Sequence, residues 1–180
     1  METNKIIKKL RKIVKVNRQN EFKTSKDYWE SRYRKKKDSG SGSYGKLAEI
    51  INEFVKSKKI YSVVEFGCGD GNQLLYATYE EYTGYDVSLE AVNICKNLFK
   101  NDNTKRFFLA EEYDGSKAQL ALSLDVIYHL VENSVFESYM KKLFESSKRY
   151  IIIYSSNIHF DKVRPHVKHR VFTDWIEQNA

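Results

Sequence analysis

Three carboxylates, an imidazole and a run of alternate glycines are the residues of this 180-residue chain whose types and spacing could do chemistry. Glu65 ends the apolar run Tyr61-Ser62-Val63-Val64 and leads into Phe66-Gly67-Cys68-Gly69-Asp70-Gly71. Asp86 stands 21 residues after Glu65, behind Tyr82-Thr83-Gly84-Tyr85. Asp125 closes the apolar run Leu120-Ala121-Leu122-Ser123-Leu124, and His129 follows four residues on. Glycines at alternate positions serve a turn that needs positive φ or a ligand pressed against the backbone. A dinucleotide turn is spaced G-x-G-x-x-G, and a triphosphate loop puts Lys-Ser/Thr after its last glycine. Gly67-x-Gly69-x-Gly71-Asn72-Gln73 fits neither. No Lys or Arg stands in the turn, while Glu65 leads it and Asp70 lies inside it. That composition suits a ligand with a positive centre and no phosphate.

Each residue has a chemical and a plain structural reading. A carboxylate about 20 residues after the turn can accept two hydrogen bonds from a ribose cis-diol; Asp86 could instead cap the next helix, a task Ser88 could also do. An imidazole titrating near neutrality can take a proton from a hydroxyl nucleophile; His129 could instead pack under the following helix. Asp125 could orient a substrate or support His129.

The stretch Glu65-x-Gly67-x-Gly69-x-Gly71 resembles motif I of the class I S-adenosylmethionine (SAM) dependent methyltransferases, and residues 119–130 resemble their motif IV. Gln119 departs from the acid often found there. The resemblance covers about residues 28–175. It implies that Glu65, Gly67, Cys68, Gly69, Gly71, Asn72, Gln73, Asp86, Val87, Asp125 and Val126 surround SAM, with S-adenosylhomocysteine (SAH) as product. Tyr28-Trp29-x-x-Arg32-Tyr33 before a Ser/Gly loop looks like the family's N-terminal element, so Trp29 and Arg32 would close on the methionine end. Tyr33, Tyr128, Asn157, His159 and His166 would meet the acceptor, with His129 and Asp125 catalytic. The implied reaction is methyl transfer to an O or N atom of a small-molecule or glycan-type acceptor. Two rivals stay open: a non-catalytic SAM-binding subunit or sensor, and a nucleic-acid-binding methyltransferase.

Apolar periodicity supplies the elements that must position these residues. Period-3.6 patterns predict helices over 44–58, 72–80, 88–100 and 134–144, and short β-branched runs predict five strands between them. The stripes are Leu47, Ile50, Ile51, Phe54, Val55; Ala91, Val92, Cys95, Leu98, Phe99; and Val135, Phe136, Tyr139, Met140, Leu143, Phe144. Ser134…Glu137 and Asp174…Glu177 have the spacing of capping boxes. Alternating strands and helices predict an α/β, doubly wound, mostly parallel sheet. The family's usual last two strands are not expected within these residues: either the chain is truncated, or the fifth strand is left as an apolar edge open to association. The expected division is residues 1–43, a basic helix with a lid or linker, and 44–180, the SAM-binding domain.

Charge is uneven. Residues 1–37 hold 14 Lys/Arg against 4 Asp/Glu, and the other 143 residues hold 17 against 20. The basic excess belongs to the N-terminal segment, where Ile6, Ile7, Leu10, Ile13 and Val14 form one helical stripe among lysines. A solvated packing helix is favoured there over a nucleic-acid or membrane surface. No apolar run approaches a membrane span. Cys68 and Cys95 lack metal or redox spacing, no metal site is expected, and the cytoplasm is the expected compartment.

Overall fold

The computed structural model describes residues 22–35, 44–160 and 164–180. The predicted basic helix over 4–18 lies outside them. Ten elements follow in order: α1 Ser25–Arg34, α2 Tyr44–Lys58, β1 Ser62–Phe66, β2 Glu81–Asp86, α3 Leu89–Leu98, β3 Lys105–Leu109, β4 Ala118–Leu124, α4 Asn133–Glu145, β5 Ser147–Tyr154 and α5 Phe172–Asn179. The strands form one parallel sheet in the order β3-β2-β1-β4-β5. Chain direction across the sheet reverses between β1 and β4, which makes a doubly wound sheet and sets its crevice at the carboxyl ends of those strands. β5 is an edge strand among the described residues.

The sheet's two faces are covered differently. On one, Leu47, Ile51 and Val55 of α2 and Val92 and Cys95 of α3 pack with Val63, Tyr82, Leu120 and Leu122. On the other, Leu143 of α4 meets Val64, Phe66, Tyr85 and Ala121. Phe136 and Met140 then bury against Trp175 of α5. Parallel strands buried on both faces read as continuous apolar runs, as β1 and β4 do.

Three expectations need correction. The helix predicted over 72–80 is a single 3-10 turn, Leu74–Tyr76, with Leu75 and Tyr76 exposed. Side chains capture the backbone groups that a longer helix would need: Asn52 Nδ2 donates to the Tyr76 carbonyl (2.8 Å) and its Oδ1 accepts from Thr78 N–H (3.0 Å). Neither capping box forms. α4 starts at Asn133 behind Glu132, and α5 starts at Phe172 behind Val171, neither cap residue making a side-chain bond. Ile50, Leu98 and Val135 sit at the margins of their stripes and are exposed.

Candidate active site

β1 runs between β2 and β4 with Glu65 opposite Gly84 and Leu122. The chain then turns through Gly67, Gly69 and Gly71, all at positive φ (87°, 58° and 76°). Gly67 is also a steric requirement, since a Cβ there would collide with the Val126 side chain. Gly67 N–H and Cys68 N–H donate to the Tyr85 carbonyl (2.6 and 3.1 Å), tying the turn to β2. Asp86 completes that tie: Oδ2 accepts from Gly69 N–H and Oδ1 from Ser88 N–H, each at 2.9 Å. Ser88 itself caps α3 through Ala91 N–H. Asp86 is thereby free of the capping task while its carboxylate is fixed in the cavity wall.

That cavity, about 900 Å³, lies over the carboxyl ends of β1, β2 and β4. Of the residues singled out in the sequence, it gathers Trp29, Tyr33, Glu65, Gly67, Cys68, Gly69, Gln73, Asp86, Val87, Asp125, Val126, Tyr128 and His129. Gly71, Asn72, Arg32, Asn157, His159 and His166 are not among its lining. Gly71 packs on α3, where a Cβ would meet Cys95 Sγ and Phe99 at 3.0 Å. Asn72 is bonded to Asp70. The Arg32 guanidinium lies over the Trp29 ring, 5.6 Å from its centroid. Asn157 bonds Thr173 at the start of α5, and His159 is exposed.

Burial sets the electrostatics. It pushes Glu65 up to about 7, against the hydrogen bond donated by the Tyr82 hydroxyl (2.7 Å). It also raises Asp86 to about 6, against the donors from Ser88 and Gly69. His129 goes the other way: burial lowers it to about 4, and the nearby charges of His166, Arg32 and His169 add to that, against the bond to the His166 carbonyl. That bond is 3.1 Å from Nδ1, and a carbonyl can only accept. Nδ1 therefore carries the proton in the neutral ring, leaving the Nε2 lone pair unprotonated. The Trp29 ring stands edge-on to His129 at 4.7 Å, and the His166 ring stacks on Tyr28 at 4.1 Å. Asp125 adopts φ 59°, with its N–H on the Tyr154 carbonyl (2.7 Å) and its Oδ1 accepting from the Tyr128 hydroxyl (3.0 Å). Burial raises Asp125 as well.

Sequence reasoning missed how α1 closes the cavity. Ser25 Oγ lies 2.6 Å from Glu132 Oε2 and 2.8 Å from the His129 carbonyl, and Ser25 N–H donates to Glu132 Oε1 (3.0 Å). From the middle of α1, Glu30 Oε2 accepts from the Ser88 hydroxyl at 2.6 Å. The helix thus bridges the loops after β4 and β2. These partners are separated by 107 and 58 residues, and no local pattern reports them.

The donor set fits SAM. The Asp86 carboxylate, held by backbone donors that include Gly69 and Ser88 N–H, keeps acceptor capacity for a diol hydroxyl. Gln73, at the cavity wall, has a buried Nε2 with no partner among the described residues, an unspent donor. Glu65 and Asp86 place carboxylates around the glycine turn, and among the described residues no arginine lines the cavity. Among the described residues no cluster of His, Cys, Asp or Glu is placed to hold a metal ion. No helix among them is long and apolar enough to cross a membrane.

Comparison with known proteins agrees with this geometry. The chain belongs to the family described as methyltransferase domain, whose model matches residues 31–175. Its sheet and flanking helices are the class I, Rossmann-like arrangement, and the cofactor of that fold is SAM. Among solved structures, the methyltransferase domain of bacterial CtHen1 is similar at 22% identity, with a TM-score of 0.58 over 73% of this chain and 81% of that one. The DhpI complex with SAH aligns at 14% identity, with a TM-score of 0.61 over 86% and 83% of the two chains. Magnesium protoporphyrin IX methyltransferase from Synechocystis PCC 6803, with SAH bound, aligns at 16% identity, with a TM-score of 0.52 over 71% and 68%. No curated protein sequence matches the chain.

Proposed function

We propose that the chain moves the methyl group of SAM to an O or N atom of a small-molecule or glycan-type acceptor, with His129 as general base. The observation that carries this reading is the place of His129, in the cavity wall with Nδ1 3.1 Å from the His166 carbonyl. That contact commits Nδ1 and leaves Nε2 to accept a proton. When bound, SAM supplies a methyl carbon whose bond to sulfur breaks as the acceptor's lone pair attacks, the electron pair staying on sulfur. Asp86 holds the ribose diol, and the Glu65–Gly71 turn shapes the methionine pocket. Trp29 and Tyr33, carried on α1, keep water from the reacting atoms, where positioning does much of the catalysis. His129 Nε2 takes the acceptor's proton; burial above all keeps the ring neutral beforehand, so its lone pair is available, at a cost in basicity.

Calorimetric titration with SAH tests the cofactor half of this reading, with NAD as control and Asp86→Ala in parallel. Micromolar SAH binding that weakens by ~100-fold in the variant, from two lost hydrogen bonds to a charged group, is the expected result. Equal affinity in Asp86→Ala would remove the ribose role.

A further inference from the structure

His129 sits on a connection too short to hold a ring by itself. Residues Ile127–His129 make a single 3-10 turn after β4, and α4 begins at Asn133. Four successive carbonyls of this loop, Tyr128 to Val131, all find their donors outside it. Tyr128 accepts from Lys168 N–H (2.8 Å) and His129 from the Ser25 hydroxyl (2.8 Å). Leu130 and Val131 accept from the two terminal nitrogens of Arg170 (2.6 and 3.0 Å). Backbone carbonyls withdrawn from water need such partners. Three of these four come from residues 164–170, a strap that reaches the loop from beyond β5.

The strap is built for that task. Pro165 and His166 are the middle of a turn closed by Val167 N–H on the Arg164 carbonyl (2.9 Å). Pro165 is the only proline of the chain, and its fixed φ suits the second position of a turn. The turn sets the His166 carbonyl 3.1 Å from His129 Nδ1, while the His166 ring stacks on Tyr28 at 4.1 Å. Arg170 also donates to Asn133 Oδ1 (3.0 Å), which Lys168 Nζ shares (2.7 Å), and its guanidinium lies over the Phe136 ring, 4.7 Å from the centroid. A planar fork can serve two adjacent carbonyls and an amide at once, and a point-charge ammonium cannot. Neither Arg170 nor Pro165 lines the cavity, so whatever they contribute to the site passes through His129.

We propose that the strap 164–170 is the positioning device of the transfer site. Arg170 fixes the loop that carries His129, and the Pro165 turn decides which imidazole nitrogen keeps its lone pair. This rests on the reading of His129 as general base and adds what sets its tautomer. The bond made by one ring nitrogen selects the protonation of the other; a ring released from the His166 carbonyl would divide between both forms.

The test is long-range 1H–15N NMR of the full chain labelled at histidine, at pH 8, above the ordinary imidazole range. The chain has four histidines, so single His→Gln variants assign every ring. The exposed His159 is the internal reference. Wild-type His129 should be held in the Nδ1–H form. In Arg170→Met the ratio of Nδ1–H to Nε2–H should fall by ~5-fold or more, the scale of one lost hydrogen bond. Pro165→Ala, which removes no side-chain bond and no charge, should shift the ratio in the same direction by less, and it decides the matter if Arg170→Met does not fold. A residue that merely stabilised the fold would lower Tm and leave the tautomer of the folded chain untouched. Wild-type His129 in the Nε2–H form, or folded variants with the wild-type ratio, would overturn the proposal. Calorimetric SAH titration of the same wild-type sample keeps the two ideas apart: absent binding removes the methyl-transfer reading and with it the purpose of the strap, whereas intact binding with unmoved tautomers removes only the strap's role.

Discussion

In the part of the cavity proposed to hold the cofactor, Glu65, Gly67, Cys68 and Gly69 arrive together on one strand and the turn that follows it, and Asp86 closes them from the adjacent strand. Across the cavity, Trp29, His129 and the carbonyl of His166 meet from three parts of the chain, where the proposed transfer to the acceptor would occur. The first side is fixed by main-chain geometry: positive φ at the glycines and N–H groups held on the Tyr85 carbonyl and the Asp86 carboxylate. The second is fixed by side chains and loops, through Ser25 on Glu132, Tyr28 on His166 and Arg170 on the carbonyls of Leu130 and Val131 (2.6 and 3.0 Å). On the proposed reading, a shared cofactor is served by rigid backbone, while acceptor choice is left to parts that can vary without disturbing the sheet.

The largest expected effect divides the two sides functionally. His129→Gln should lower kcat by ~10²- to 10⁴-fold, the usual scale of general-base loss, with SAH affinity unchanged by calorimetry. The pH profiles should part as well. His129, lowered to about 4, stays neutral as pH falls through the ordinary histidine range, so kcat should hold until near pH 4. Asp86, raised to about 6, takes up its proton sooner, so SAM affinity should fall below about pH 6 while kcat persists. Acid limbs that coincide would erase the distinction.

A smaller effect tests the cost of the cofactor side in the ligand-free chain. Glu65 has its folded pKa raised to about 7, above the unfolded carboxyl. Such a group contributes stability that is full below the unfolded pKa and lost as pH rises through the folded one. Glu65→Gln, whose amide oxygen can still accept from Tyr82, should therefore stabilise the chain at pH 8 by up to ~3 kcal/mol and hardly at all at pH 4. A Tm difference independent of pH would show that the Glu65 charge is not what costs stability.

The smallest effects contrast two neighbours on α1. Ser25→Ala leaves the Glu132 carboxylate without its closest donor, at ~1–3 kcal/mol, and should appear as faster SAH release in stopped-flow measurements. Lys26→Ala breaks an exposed pair with Glu111 (3.1 Å) and should leave release unchanged, since such pairs contribute little. Equal responses would mean that α1 is not latched through Ser25.

Legibility in the sequence follows the same line. β1 and β4 are apolar because both faces of a parallel sheet are buried, and the glycines announce their φ, so the sheet and the Glu65–Asp86 pair could be read directly. Asp86 was open to a capping alternative, which Ser88 resolves by taking that bond. Other residues singled out in the sequence do not line the cavity, for physical reasons. Asn157 and His159 stand after a strand in the crevice direction, but the Thr173 bond and solvent take their side chains. His166 acts through its carbonyl, which no residue type reveals. Ser134 and Glu137 have capping-box spacing, yet the helix starts a residue earlier, which leaves Ser134 on the cavity flank.

Asp125 carries one more consequence, for anyone who varies this protein by mutagenesis. Its left-handed backbone conformation is tolerated by Asn and Gly besides Asp and is penalised for every branched side chain. A saturation library at this position would therefore be sorted by foldability before acceptor preference could be scored. Diversity intended to probe the proposed acceptor region is better placed at Tyr128, where the main chain imposes no such filter.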